Sequence, residues 1–273
     1  MHPRLGALAA LRLTDPEEKV AATRALFAGL GPRPLPEQPL RRPGDEAGVP
    51  GRPERPPRVS ATEVEKRSPF TAEGRAALIH SICHIEFNAI NLALDAAWRF
   101  DGMPEAYYRD WLRVADEEAQ HFALLHAHLR GMGRDYGDFS GHDGLWSMCE
   151  KTRDDVVARM ALVPRTLEAR GLDATPLIQA KLRRVATPDA LAACTILDRI
   201  LRDEVGHVAI GNRWYRWLCE REGLEPVAHY RLLYRRHQAP RLRPPFNLEA
   251  RQRAGFTEEE LRTLAQDGER ADP

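Results

Sequence analysis

Cysteine is scarce in this chain, and strand signals are nearly missing. The four cysteines, Cys83, Cys149, Cys194 and Cys219, lie far apart along 273 residues and form no CxxC pair. That spacing argues against a disulfide scaffold or a zinc ribbon, and for buried free thiols in a reducing compartment. No uninterrupted apolar run approaches the roughly 18–20 residues needed to cross a membrane, so no membrane contact is expected. Residues 1–13 (MHPRLGALAALRL) have neither a long apolar core nor a clear cleavage pattern, which argues against a secretory signal. A cytoplasmic location is the expectation that follows. Formal net charge is zero, from 40 basic and 40 acidic residues. This removes the main argument for a non-specific polyanion binder and leaves only a local basic patch open. Hydrophobic content of 43% and charged content of 29% suit a globular protein with one sizeable domain plus extensions.

What is present is helical periodicity, punctuated by proline and glycine. Asp15 as cap, Pro16 in the first turn and the acids after it predict a short helix over 14–29. Residues 31–59 hold nine prolines and many arginines. They predict an extended arm whose basic residues are solvated. A helix is expected from Thr71 to about Arg99, with Ile79, Ile82, Cys83, Glu86, Ile90 and Ala93 on one stripe. Gly102 ends it, and Pro104 opens the next, which runs to about Arg130. A Gly/Asp-rich loop covers 131–147. A third helix is expected over 147–170, ending at Gly171 and kinked or broken at Pro164, then a short helix near 176–185. Thr187-Pro188-Asp189 opens a long helix to about Arg221; 226–238 reads as helix and 240–256 as irregular. Thr257-Glu258-Glu259-Glu260 is a capping box for a last short helix. The fold class is all-α: four long helices as two similar hairpins. The expected divisions are an arm over 1–59, a bundle over 60–225 and an extension over 226–273.

The chemistry sits in a repeated step. Glu118-Ala119-Gln120-His121 and Glu204-Val205-Gly206-His207 lie 86 residues apart in the similar contexts ADEEAQHFALL and LRDEVGHVAIG. On a helix, residues three apart share a face. Val114, Ala115, Phe122 and Leu125 flank the first pair, and Ile200, Leu201 and Val208 the second. Ionisable groups on such apolar stripes are expensive unless paired or metal-bound. One step alone reads as a surface Glu–His pair. Two in matching contexts read as a repeated helix pair converging on metal, as in ferritin-like di-iron and di-manganese proteins. Each preceding helix should then add a carboxylate: Glu86 first, and Glu168 third, with Glu150 as rival and Arg165 as an ordinary ion-pair partner for Glu168. The expected ligand set is Glu86, Glu118, His121, Glu168, Glu204 and His207. Its oxygen and nitrogen donors suit two divalent ions, iron or manganese. No cysteine is among them, which argues against zinc–thiolate or iron–sulfur chemistry.

Glu117 and Asp203 each precede a ligand glutamate, turned by ~100° on the helix. Metal-bound histidines usually donate their second N–H to a carboxylate. Asp203 is therefore expected to orient His121, and Glu117 to orient His207; the alternative is a pair of solvated surface acids. His80 and His84 fall on another stripe, with Asn88, Asn91 and Asp95, and read as inter-helix hydrogen bonders. Gly206 in mid-helix suggests room for a ligand or close helix packing. Arg231, Arg235, Arg236, His237, Arg241 and Arg243, interleaved with Tyr230, Tyr234 and Phe246, suit phosphate and base contacts as well as packing on an acidic surface.

The stretch from about Pro50 to Phe256, about three quarters of the chain, resembles the ferritin-like family of bacterial proteins catalogued as domain of unknown function 455. The segments that carry the likeness are HIEFNAINLALDAAWRF, DWLRVADEEAQHFALL, YGDFSGHDGLW, ARMALVPRTLEARGLD and LRDEVGHVAIGNRWY. The resemblance implies a ferritin-like bundle with the six ligands above and hands over no reaction. The site pattern is also similar to that of di-iron oxygenases, ribonucleotide-reductase small subunits and the bacterial tRNA hydroxylase that acts on a modified adenosine. A reductase role would need a radical-storing tyrosine, and nothing in the sequence sets Tyr107, Tyr108 or Tyr215 beside the metals. The expectation is an oxidoreductase that uses O2 or peroxide on a small-molecule or nucleoside substrate, with an external electron donor and a homodimer as its partners. The alternatives are a non-cage metal-handling or ferroxidase protein and a metal-free interaction bundle.

Overall fold

A computed structural model describes residues 2–35, 46–65 and 67–269, so part of the proline-rich arm lies outside the described residues. Among those residues the chain is all-α, with one isolated bridge, Arg58 to Gly141, as its only extended pairing. Two compact units organise it: Met1–Trp146 with Thr187–Ile196, and Ser147–Ala186 with Leu197–Pro273.

The first unit contains α1 (Pro3–Arg12), α2 (Pro16–Ala28), α3 (Ala72–Arg99) and α4 (Glu105–Gly131). It also takes the first residues of α8 (Pro188–Glu222). The caps are those the sequence prescribes. Asp15 accepts from the Glu18 amide at 2.9 Å, and Thr71 from the Gly74 amide at 3.0 Å. α3 packs along α4, α1 lies on α3, and α2 lies on α4. Phe87, Trp98, Tyr107, Tyr108, Trp111 and Phe122 fill the space between them. Each contributes on the order of 1.5–3 kcal/mol by leaving water. By length and composition α3 would pass as a membrane span, but 78% of its apolar window is buried inside the fold, as befits a core helix. Nothing in the sequence pattern announced α1, yet Ala7, Leu8 and Leu11 bury one of its faces.

Lys19 on α2 is completely buried. Its ammonium donates to the carbonyls of Leu11 (3.2 Å) and Gly51 (2.8 Å) and to Asn91 Oδ1 (2.5 Å), and it stands 5.0 Å from the Phe87 ring centroid. One side chain thus ties α1, the arm and α3 together. Burial, and secondarily Arg52, lowers its pKa to about 7.

The arm corrects one expectation. Its arginines are not simply solvated but clamp the Gly/Asp-rich loop. Arg52 and Arg58 both reach Asp143, and Arg55 reaches Asp138 at 3.4 Å and the Gly137 carbonyl at 3.2 Å. Backbone bonds from Val59 to Gly141 (2.9 Å) and from Gly141 to Pro57 (3.0 Å) complete the seam. Proline removes amide donors, so the arm is held mainly by its side chains and by the few amides left.

The second unit departs from the expected helix bounds. α5 (Gly144–Lys151) stops at a turn, and α6 (Val156–Leu162) follows, capped by Asp155. The break expected at Pro164 takes the form of a π-helical segment, Val163–Glu168. A proline inside a helix lacks the N–H and crowds the carbonyl four residues back; widening the turn relieves both problems. Thr166 Oγ1 donates to the Ala161 carbonyl, five residues back, at 2.8 Å. Gly171 ends nothing, because α7 (Ala169–Val185) runs through it and through Pro176. The stretch expected to be irregular holds a short helix, α10 (Leu248–Arg253), after α9 (Pro226–Arg236). The capping box is formed as read. Thr257 N donates to Glu260 at 2.8 Å and Glu260 N to Thr257 at 3.2 Å, opening α11 (Glu258–Glu269). Ala169, Leu172, Val208, Ala250 and Ala254 form a shared core cluster in this unit.

Lys19→Met keeps the volume and strands two buried acceptors, the Gly51 carbonyl and Asn91 Oδ1, while the Leu11 carbonyl keeps the Gly51 amide. It should lower unfolding free energy by at least about 2–3 kcal/mol, read from urea denaturation. A loss below the measurement error would show that the tether does not hold the first unit together.

Candidate metal centre

Glu86 in the middle of α3 and the Glu118–His121 step of α4 meet inside the first unit. Their exposures are 4%, 0% and 0%. His121 Nδ1 lies 3.2 Å from Glu86 Oε2 and 3.4 Å from Glu118 Oε2. One ligand atom from each can be chosen so that all lie within 4.8 Å of one another, a buried group that could hold a metal ion. Val114, Ala115, Phe122 and Leu125, all at 1% exposure or less, wall it on α4.

The electrostatics suit a cation. Burial, and then the charge of Glu118, pushes the Glu86 carboxyl well above its ordinary range. At His121 burial works downward but is outweighed by the hydrogen bonds and charges of Glu118 and Glu86, which carry its pKa up to about 11. Two carboxylates this deep share a proton through the imidazole or need a positive ion between them. Two oxygen donors and one nitrogen donor form a set that fits iron or manganese and offers no thiolate.

The second unit carries the other residues singled out by sequence. On α8, Glu204 and His207 are 8% and 0% exposed, with His207 Nδ1 3.5 Å from Glu204 Oε1. Glu168 ends the π segment and is buried, whereas the rival Glu150 on α5 is exposed. Arg165 does not take the ion-pair role offered to it beside Glu168; its guanidinium goes to Asn212 Oδ1 (2.5 Å) and Glu260 (2.6 Å). Asp203 is half-buried, with Arg199 at 3.6 Å and Arg202 at 3.3 Å, and Glu117 is half-buried on α4. Gly206 is exposed, and an added Cβ would meet nothing within 4 Å, so it serves no helix contact. The close approach is five residues on. A Cβ at Gly211 would stand 2.5 Å from Pro164 Cβ, pinning α8 to the π segment that carries Glu168.

His80 and His84 are hydrogen bonders, but to the Gly/Asp-rich loop rather than to another helix. His80 Nε2 accepts from the Gly137 amide at 2.9 Å, and His84 Nδ1 shares a proton with Tyr136 Oη at 2.8 Å. Burial lowers both to about 4, so they are neutral. Tyr136 escaped the sequence reading. Its ring packs on His80, Phe87 and Phe122 at 5.2–5.6 Å between centroids. The signal for it was the buried histidine stripe, which needed partners from outside α3.

The chain belongs to the family described as "Protein of unknown function (DUF455)", whose model matches residues 12–262. It is 46% identical over 263 residues to an uncharacterized protein of Haemophilus influenzae, covering 92% of this chain and 90% of that one. No solved structure matches it.

Two outcomes follow. Gly206→Ala should stabilise the chain by up to about 1 kcal/mol, and Gly211→Ala should destabilise it by about 1–3 kcal/mol, both by urea denaturation. Equal effects would refute the assigned contact. A group whose folded pKa is raised contributes stability below its unfolded value and loses it as pH climbs through the folded value. Metal-free protein should therefore lose stability between pH 6.5 and about 11 through His121, with the raised Glu86 acting in the same direction. The slope of midpoint against pH should shrink in Glu86→Gln; an unchanged slope would contradict the coupling.

Proposed function

We propose that this member of the family is a ferritin-like carboxylate protein that holds two iron or manganese ions and oxidises or hydroxylates a substrate with O2 or peroxide. The observation that carries the reading is the buried convergence of Glu86, Glu118 and His121 on α3 and α4. The Glu-x-x-His step repeated on α8 extends it: Glu168, Glu204 and His207 are taken as the remaining ligands on the strength of that repeat. Bound metals of this kind supply redox chemistry toward dioxygen or peroxide, fed by an external electron donor.

The chain's own residues have definable work. Glu86 and Glu118 provide negative charge in a place where no solvent competes for it. His121 must release its proton to ligate, so loading is coupled to proton release. Phe122, Val114 and Leu125 keep water from the donors. Glu117 and Asp203 are proposed to fix the imidazoles through the ring N–H not used for ligation. A cytoplasmic setting fits the four thiols, all buried and free.

The test is metal content. Full-length protein from iron-supplemented cells should hold about two metals per chain and show the spectroscopic signature of a coupled binuclear centre. Fewer than about one metal per chain after reconstitution would overturn the reading. Glu118→Ala combined with His207→Ala should abolish loading, and near-normal content there would overturn the ligand assignment.

A further inference from the structure

The second unit encloses a cavity of about 750 Å³ between the π segment, α9, the 241–242 turn, α10 and α11. That volume lies within the roughly 300–1,000 Å³ typical of small-molecule sites. Its lining is lopsided in charge: Arg165, Arg231, Arg235, Arg241 and Arg251 face one carboxylate, Glu260. Arg165 is spent on Glu260 and Asn212, and Arg251 on Asp173 at 2.6 Å. Arg235 and Arg241 are exposed at the rim, and Arg231, exposed beside them, donates to Thr263 Oγ1 at 3.4 Å and lies near the Glu225 carboxylate. Three guanidinium groups around one opening favour a ligand with concentrated negative charge that accepts several hydrogen bonds, such as a phosphate.

The wall is aromatic. Tyr230 and Tyr234 stand 5.9 Å apart between ring centroids, and Phe256 lies 4.7 Å from the Arg165 guanidinium. Both tyrosine hydroxyls are tied down, Tyr230 to Thr166 at 2.9 Å and Tyr234 to the Pro240 carbonyl at 2.8 Å. The rings are therefore held in place and offer π surface rather than hydroxyls. The bond to Pro240 also anchors the turn that presents Arg241. Held rings next to exposed arginines recognise a flat aromatic group carrying a phosphate.

We propose that this cavity binds a phosphorylated aromatic small molecule of mononucleotide size, base against Tyr230 and Tyr234 and phosphate on Arg231, Arg235 and Arg241. The site needs no metal, so binding to metal-free protein tests it separately from the metal-centre reading. The probes are AMP, adenosine, inorganic phosphate and a single-stranded RNA oligonucleotide, titrated calorimetrically into the full chain. AMP should bind once per chain and at least about tenfold more tightly than adenosine or phosphate. Arg235→Gln with Arg241→Gln should weaken AMP at least about tenfold, and Arg184→Gln, outside the cavity, should leave it unchanged. AMP should also protect Arg235 and Arg241 of the unmodified protein from an arginine-specific reagent, read by mass spectrometry, which does not depend on how the variants fold. RNA that AMP displaces would support the site, with a nucleotide of the strand as ligand. Three results would overturn the proposal: AMP no tighter than phosphate, no protection, or RNA that AMP does not displace, which would mark an exposed basic surface instead.

Discussion

Glu86, Glu118 and His121 are buried together, and that constraint shapes the first unit. Carboxylates prefer water by a wide margin, so helices that carry them inward must be held against that preference. α3 and α4 are held by aromatic packing between them and by α1 and α2 on their outer sides. Lys19 performs the complementary task, carrying a buried ammonium to three acceptors from three segments. The first unit thus contains buried charge of both signs, and each is met by at least one partner more than thirty residues away in sequence. Disrupting one helix contact therefore exposes or strands a charged group, which makes the unit's packing and its electrostatics a single problem.

Most of the helices and half of the candidate site were legible in the sequence because they rest on local rules. Caps such as Asp15, Thr71 and the Thr257–Glu260 box announce themselves within four residues, and Glu118 with His121 share a face by helical period alone. Glu86 was legible because its neighbours on the stripe are apolar. What the sequence did not disclose depended on non-local relief or pairing. Pro164 read as a kink or break, and the form of that break, one widened turn, is what the sequence pattern could not specify. Gly171 read as the end of one helix and residue 176 as the start of another, yet α7 runs unbroken across both. The arm's arginines looked solvated because their aspartate partners lie more than eighty residues away in the loop. Tyr136 was missed for the same reason: its surroundings are built by residues from two helices.

The C-terminal extension gains meaning from its contacts. Arginines and tyrosines that read as a basic tail become, on folding, buried supports and exposed rim groups, and the supports are those that find a buried carboxylate. Arg165 illustrates the first kind. It is buried, stacked between Tyr215, Tyr230 and Phe256, and bound to Glu260, and so welds α11 to the π segment.

The π segment has a consequence for chain length. A π turn accommodates one residue more than the α-helical spacing. Removing a single residue between 163 and 168 would let the helix close into ordinary pitch without unwinding its flanks. The wider turn already absorbs the spare residue, so the positions after it would keep nearly their present bearing relative to α6. A one-residue deletion is therefore tolerable here, whereas the same deletion in an α-helical turn would rotate every later side chain by about 100°.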